Sequence, residues 1–443
     1  MKKRTKILLP ALLLTIIVTL CGCVRTVDEL YRVPRRSAGY RNLQTVMDQQ
    51  MESLSFCAPG SGENQQAVQM ADLDGNGAEE VILFAKANDD RPLKILVFSA
   101  EDGEYRMTAK IERPGAAFDQ VEYVQMDGKP GLEMVVCTEL SDRVPRNISV
   151  HSFSGGDAQE LLSTDCRRFL CSDLDENGVS DLLVLNAGVD ASGHGTVTLY
   201  GMTGEELLPW GTATLSRSIE NMKRIMTGGL SGGQQAVFVA SAVDESTVVT
   251  DVFALVDGKL TNVSQAGGAG TGVNTLRNLY VYGEDIDRDG EMELPSLISV
   301  KTPPSAELRK HGEHLIRWYA MTARGEEVTK LYTYHNYQQL WYMTLRPDTA
   351  ERICVVQEDD GSYSFLLWDK AGTGLTKLWT VYVLTGDDRS ALAAKENRFI
   401  LMKTDSTVYA AMLEPAAEDY GITEENLTHA FHLIRRGWKT GEM

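Results

Sequence analysis

Three nine-residue segments carry oxygen-bearing side chains at positions 1, 3, 5 and 9 and a glycine at position 6. They are Asp72, Asp74, Asn76, Gly77 and Glu80; Asp173, Asp175, Asn177, Gly178 and Asp181; and Asp285, Asp287, Asp289, Gly290 and Glu293. In a strand these side chains would share a face but spread along it at about 3.3 Å per residue. A helix would scatter them around its axis. Only a tight loop aims them at one point, and glycine at position 6 permits the sharp turn that closes it.

A hard cation such as calcium takes six to eight oxygens in a flexible shell. Side chains 1, 3 and 5 supply part of that shell. The carbonyl of residue 7, which is Ala78, Val179 or Glu291, turns inward, and the acid at position 9 completes it. The start matches an EF-hand loop, but the continuation does not. An EF-hand needs Glu at position 12 and flanking helices, whereas Leu83, Val184 and Ser296 stand there. Short apolar runs follow the first two loops, Val81 to Ala85 and Leu182 to Leu185, and they indicate buried strands.

Two degenerate copies lie between the intact ones. The segment Gln125 to Glu133 keeps acids at positions 3 and 9 (Asp127 and Glu133) but has Lys129 at 5, so an ammonium is expected to stand in for the metal. The segment Gly229, Leu230, Ser231, Gly232, Gly233 has no carboxylate. Position 3 falls at Asp74, Asp127, Asp175, Ser231 and Asp287, at intervals of 53, 48, 56 and 56 residues. Further strand pairs with glycine turns fill each interval, such as 93–98 and 105–111 around Asp102-Gly103. Runs at 352–356 with 364–368, and at 398–402 with 408–412, suggest two more units without the loop. Four strands per period of about fifty indicate an all-β fold, a β-propeller of four-stranded blades, seven by the period or six. Short helices are expected at each end: 39–55, with Leu43, Val46, Met47 and Leu54 on one face, and 423–436, capped by Thr423.

The three loops, each followed by an expected strand, resemble those of the FG-GAP/VCBS repeat family, which includes the calcium-loop blades of integrin α-chain heads. The resemblance is closest to repeat-bearing lipoproteins of Firmicutes and covers about residues 65–300. It implies a propeller with calcium as cofactor and is nearly silent on ligand.

The N-terminus has Lys2, Lys3, Arg4 and Lys6 before an apolar stretch from Ile7 to Leu20, which is short for a membrane span and has the plan of a signal peptide. Leu20-Cys21-Gly22-Cys23 resembles the bacterial lipobox. That implies cleavage after Gly22 and a diacylglyceryl group on Cys23, a lipid anchor on the extracytoplasmic face of the cell membrane. Residues 23–37 then form a tether, 38–60 the first helix, 61–415 the propeller and 416–443 the second helix and tail. Without residues 1–22 the side chains balance 39 cations against 62 anions, a net −23. Such a surface is repelled by anionic headgroups, so the lipid itself must hold the protein to the membrane. The acidity also argues against nucleic-acid binding. Cys57, Cys137, Cys166, Cys171 and Cys354 show no metal spacing; Cys166 and Cys171 either pair or stay free thiols, the latter being favoured.

No catalytic constellation emerges. Gly229 to Gly233 matches the Gly-x-Ser-x-Gly nucleophile elbow in letters, but that motif requires a helix after the serine, and a strand follows. His311 and His314, and His429 and His432, lack zinc spacing. The glycine run 267–272 lacks the ending of a phosphate loop. Asp359-Asp360 and Asp387-Asp388 border Gly361 and Gly386, and turns account for them. The sequence therefore points to a monomeric, non-enzymatic binding or scaffold protein with a protein or glycan partner. A polysaccharide lyase or hydrolase built on a propeller, and a cell-envelope assembly factor, are the alternatives.

Overall fold

The computed structural model describes residues 38–434, apart from 141–145, 155, 189–192, 266–273, 279–280, 301–308, 311–313 and 396. The signal peptide, Cys23, the tether, the glycine run and the last nine residues lie outside the described residues. Among the described residues no helix is long and apolar enough to cross a membrane.

Six antiparallel sheets follow one another along the chain. The first holds β1 (Ser55–Phe56) and β2 (Val68–Ala71), both paired with β3 (Glu80–Lys86), then β4 (Leu93–Glu101) and β5 (Glu104–Arg113). The second is β6 (Ala117–Val124), β7 (Glu133–Glu139), β8 (Arg146–Ser152) and β9 (Gln159–Cys166). The third is β10 (Arg168–Ser172), β11 (Asp181–Asn186), β12 (Thr196–Thr203) and β13 (Glu206–Thr214). The fourth is β14 (Met222–Gly229), β15 (Gln235–Ala242), β16 (Val248–Val256) and β17 (Lys259–Asn262).

The remaining strands are β18 (Glu293–Ser299), β19 (Arg309–Lys310), β20 (His314–Met321), β21 (Glu327–Asn336), β22 (Trp341–Leu345), β23 (Ile353–Gln357), β24 (Tyr363–Trp368), β25 (Leu375–Thr385), β26 (Arg398–Lys403), β27 (Thr407–Leu413) and β28 (Phe431–Leu433). The fifth sheet runs β18-β20-β21-β22-β28 and the sixth β19-β23-β24-β25-β27-β26. The runs expected as two final units thus belong to one sheet, because β27 pairs with β25 along its whole length. Seven units reduce to six sheets among the described residues.

The alternation of side chains explains why β7, β11 and β15 are apolar along most of their length. In β7, Met134 and Val136 join the core shared with the first sheet, while Val135 and Cys137 join the core shared with the third. In β11, Leu182 and Val184 face the second sheet and Leu183 and Leu185 the fourth. In β15, Val237 and Val239 face the third, and Ala236 and Phe238 the fifth. A strand buried on both faces cannot afford a polar side. Five such cores link the sheets in sequence order, the last an aromatic one containing Tyr334, Trp341, Phe365 and Trp379.

The outer face of the first sheet (Val81, Leu83, Leu96 and Phe98) lies under α1 (Ala38–Gln50) through Leu43, Val46 and Met47, as the stripe on that helix required. On the sixth sheet, Val408 and Ala410 pack with Ala393 of α2 (Arg389–Ala393). None of the apolar cores among the described residues joins the first sheet to the sixth. The C-terminal helix is shorter than expected. In α3 (Glu424–Ala430) the Thr423 side chain does accept from Asn426 N, but Phe431 opens β28, which extends the fifth sheet beside β22.

A second repeat signature is a β-bulge between the third and fourth strands of a sheet or, in the fifth sheet, between β20 and β21. It falls at Val97/Phe98, Val150/His151, Leu199/Tyr200, Trp318/Tyr319 and Phe365/Leu366. Its presence in the sixth sheet marks that sheet as a repeat although it has no acidic loop. A bulge adds local twist, so the same kink recurs from sheet to sheet.

Candidate metal centres and the loops that carry them

Four of the five loop copies lie before the second strand in the order of their sheet and the fifth before β18, the first strand of the fifth sheet; four of the five share one hydrogen-bond plan. The acid at position 9 is the first residue of the strand and is buried: Glu80 is 3% exposed, Glu133 3%, Asp181 2% and Glu293 0%. Each accepts the N–H of the apolar residue at position 2: Leu73 at 2.8 Å, Met126 at 2.8 Å, Leu174 at 3.1 Å and Ile286 at 3.0 Å. The position 1 carboxylate accepts the glycine N–H at position 6, with Gly77 on Asp72 at 3.0 Å, Gly178 on Asp173 at 2.9 Å and Gly290 on Asp285 at 3.0 Å. Position 3 accepts from the N–H at 5, and position 5 from the N–H at 7, so Asn76, Asn177 and Asp289 hold Ala78, Val179 and Glu291.

The fold brings the expected ligands together. Carboxylate oxygens of Asp72, Asp74 and Glu80 lie within 4.8 Å of one another, as do those of Asp173, Asp175 and Asp181, and of Asp285, Asp287 and Asp289. Glu293 is not part of the third group. Its Oε1 is buried without a hydrogen-bond partner, while Oε2 takes the Ile286 N–H. Such an orphaned carboxylate oxygen is costly, and a cation among the neighbouring acids would satisfy it. Burial, followed by repulsion from the other loop acids, pushes the position 9 carboxyls up: Asp181 to about 6 and Glu293 to about 8. Glu80 and Glu133 rise for the same first reason. The donor set is all oxygen, flexible and anionic, which suits calcium.

The decayed second loop follows its expected replacement in part. Lys129 Nζ lies 3.5 Å from Asp127, yet it is half exposed, and Glu133 is held by backbone N–H groups instead. Three features escaped the sequence reading. Lys330 on β21 reaches the fifth loop and binds Asp289 at 2.7 Å and Glu291 at 2.6 Å. No spacing signal connects residues so far apart. Position 4 is left-handed in all five copies, at Gly75, Gly128, Glu176, Gly232 and Arg288, and glycine at three of them was the available clue.

The third missed feature links the loops to one another. The N–H at position 8 donates to the position 1 carbonyl of the loop in the preceding sheet: Leu132 to Asp72 at 3.1 Å, Ser180 to Gln125 at 2.7 Å and Met292 to Gly229 at 2.8 Å. Between the third and fourth sheets, Glu176 accepts the Gln235 N–H at 2.8 Å instead. The decayed loops therefore keep a structural task without a metal.

The other candidates resolve as turns and cores. Ser231 sits in the fourth loop with its N–H on Met321 O at 2.9 Å, and a strand follows it. Asp360 accepts from Ser362 N at 3.0 Å in a local turn. The described cysteines are free thiols, and Cys166 faces Cys137 at 3.7 Å rather than Cys171.

No protein-family profile matches the sequence, and no curated protein does. Among solved structures, the chain is similar to the rhamnogalacturonan lyase YesW, at 12% identity and TM-score 0.32, over 72% of this chain and 68% of that one. It is similar to a Bacillus licheniformis rhamnogalacturonan lyase at 12% identity and TM-score 0.31, over 73% and 72%. It is also similar to Saccharomyces cerevisiae Sqt1 at 10% identity and TM-score 0.30, over 80% and 85%. Likeness at this level carries no argument about activity.

Proposed function

We propose that the protein is a calcium-stabilised stack of six propeller-type blades, tethered by a lipid on Cys23 to the extracytoplasmic face of the membrane and acting as a binding or scaffold module. The observation that carries the calcium reading is the threefold convergence of carboxylates on one point, each beside a buried position 9 acid. Asp72, Asp74, Asn76 and Glu80 would hold the first ion, Asp173, Asp175, Asn177 and Asp181 the second, and Asp285, Asp287, Asp289 and Glu293 the third, with the carbonyls of Ala78, Val179 and Glu291. A bound cation would cancel the repulsion among these acids and tie each loop to its strand. The loops then present a row along one end of the stack, where a protein or glycan partner would bind.

Bound calcium counted by elemental analysis after dialysis tests the reading. Three ions per chain are expected; fewer than two would overturn it. Fatty-acid labelling tests the anchor independently, and label surviving Cys23→Ala would overturn that part.

A further inference from the structure

We propose that Lys330 is a built-in competitor for calcium at the fifth loop, and that the residue at its place in the β-bulge tunes the calcium affinity of the loop in the same sheet. This rests on the calcium reading above and adds to it a residue outside the loops.

The bulge is what aims Lys330. Between β20 and β21, Trp318 pairs with Leu331 and Tyr319 with Thr329, so Lys330 is the extra residue. An extra residue has no partner across the ladder, and a bulge re-aims its side chain. Lys330 Nζ lies 2.7 Å from Asp289 Oδ2 and 2.6 Å from Glu291 Oε2, with its side chain 19% exposed. Glu291 is held from its other side as well, where Oε1 accepts the Gly232 N–H at 2.9 Å.

The same register shift makes Thr108 the extra residue of the first sheet and Trp210 that of the third. Thr108 lines a cavity of ≈ 400 Å³ together with Asp74, Asn76 and Glu80, so this bulge also faces its loop. Neither Thr108 nor Trp210 carries a charge. Position 5 differs in step. Asn76 Nδ2 donates to Asp74 at 2.8 Å, and Asn177 Nδ2 to Asp175 at 2.9 Å. The Asp289 carboxylate has no proton to give, and the Lys330 ammonium is the donor in its place. Among the described residues, the ion pairs of the loop acids are those of Lys330 and that of Lys129 with Asp127 in the decayed second loop. Calcium entering the fifth loop must therefore displace the ammonium from Asp289 or bear its repulsion. The first and third loops impose no such cost.

Calcium is titrated by calorimetry into the full chain carrying Asp74→Ala and Asp175→Ala, which leaves the fifth loop as the intact site. Adding Lys330→Met should tighten the remaining site about tenfold, the scale of one charge beside a divalent ion at surface dielectric. Lys330→Arg keeps the charge and should stay within about threefold of Lys330. The converse variant brings the cation to the first loop. With Asp175→Ala and Asp287→Ala leaving that site intact, Thr108→Lys should weaken calcium about tenfold, and Thr108→Val should not. Cooperative melting of each variant is the check on folding. Unchanged or weaker binding in Lys330→Met, or unchanged binding in Thr108→Lys, would overturn the proposal and leave the calcium reading standing. A wild-type chain that binds no calcium would overturn both.

Discussion

The N–H of Ser180 donates to the carbonyl oxygen of Gln125 at 2.7 Å, joining position 8 of the third loop to position 1 of the second. The same bond joins Leu132 to Asp72 and Met292 to Gly229. Three of the four neighbouring loop pairs are thus interlocked through backbone alone, which tolerates loss of the acidic side chains. Gln125 and Gly229 have no carboxylate to offer a metal, yet their carbonyls remain in the chain of contacts.

Two glycines of the first loop separate interlock from metal binding. A Cβ on Gly75 would lie 2.3 Å from the Pro130 carbonyl carbon, in the second loop, and Gly75 has φ +74°. A Cβ on Gly77 meets nothing within 4 Å, although φ is +86°. Gly75→Ala should destabilise by about 3 kcal/mol or more through overpacking and backbone strain. Gly77→Ala should cost only about 1–2 kcal/mol. Denaturant unfolding of both variants measures the difference.

Calcium should raise the melting temperature, and a chelator should lower it. A ligand that binds only the folded state at a hundredfold excess over Kd contributes about 2.7 kcal/mol per site. Asp175→Ala should remove one site's share of the shift and one bound ion. Asp359→Ala and Asp388→Ala, in turns, should leave the shift intact. Magnesium should restore it poorly, since it demands a tighter octahedral shell. Thermal scans with each ion check all four statements.

The pH dependence of the metal-free protein has a definite sign. Glu293 titrates near 4.5 when unconstrained and is pushed up to about 8 in the fold, chiefly by burial. Between those values the folded state binds more protons than the unfolded one, so stability falls as pH rises. In chelator, the wild type should lose melting temperature from pH 5 to pH 8, and Glu293→Gln should lose less. Calcium should flatten the wild-type curve by favouring the charged carboxylate. A wild-type profile in chelator that rises over this range would contradict the assignment.

Lys330 makes the fifth loop different from the others. Lys330 neutralises Asp289 and Glu291 from within the protein. Lys330→Met should destabilise by about 1 kcal/mol without calcium, as expected of a partly exposed ion pair, and by less once calcium is bound. Arg288 occupies the left-handed region at φ 65°, so Arg288→Gly should stabilise by about 0.5–1 kcal/mol. Glu176→Gly relieves the same strain at φ 59° but loses the acceptor for Gln235 N, and its net effect should be smaller. Chemical denaturation in chelator and in calcium separates these terms.

The convergent acidic loops, the strand after each, the glycine turns and the two terminal helices were legible in the sequence because each depends on residues close in the chain. Oxygens at 1, 3, 5 and 9 converge through local backbone geometry, and Leu43, Val46 and Met47 form a stripe wherever a helix forms. The tertiary structure decided what distant segments do together. The strands at 398–402 and 408–412 look like a seventh unit, yet β27 pairs with β25 and folds them into the sixth sheet. Phe431 continues a helical pattern, but the free edge of β22 draws it into a strand. Lys330 reaches Asp289 only because β21 passes the fifth loop. Pairing of a strand edge and placement of a charge depend on which edge or which acid is nearby in space, and local sequence does not encode that neighbour.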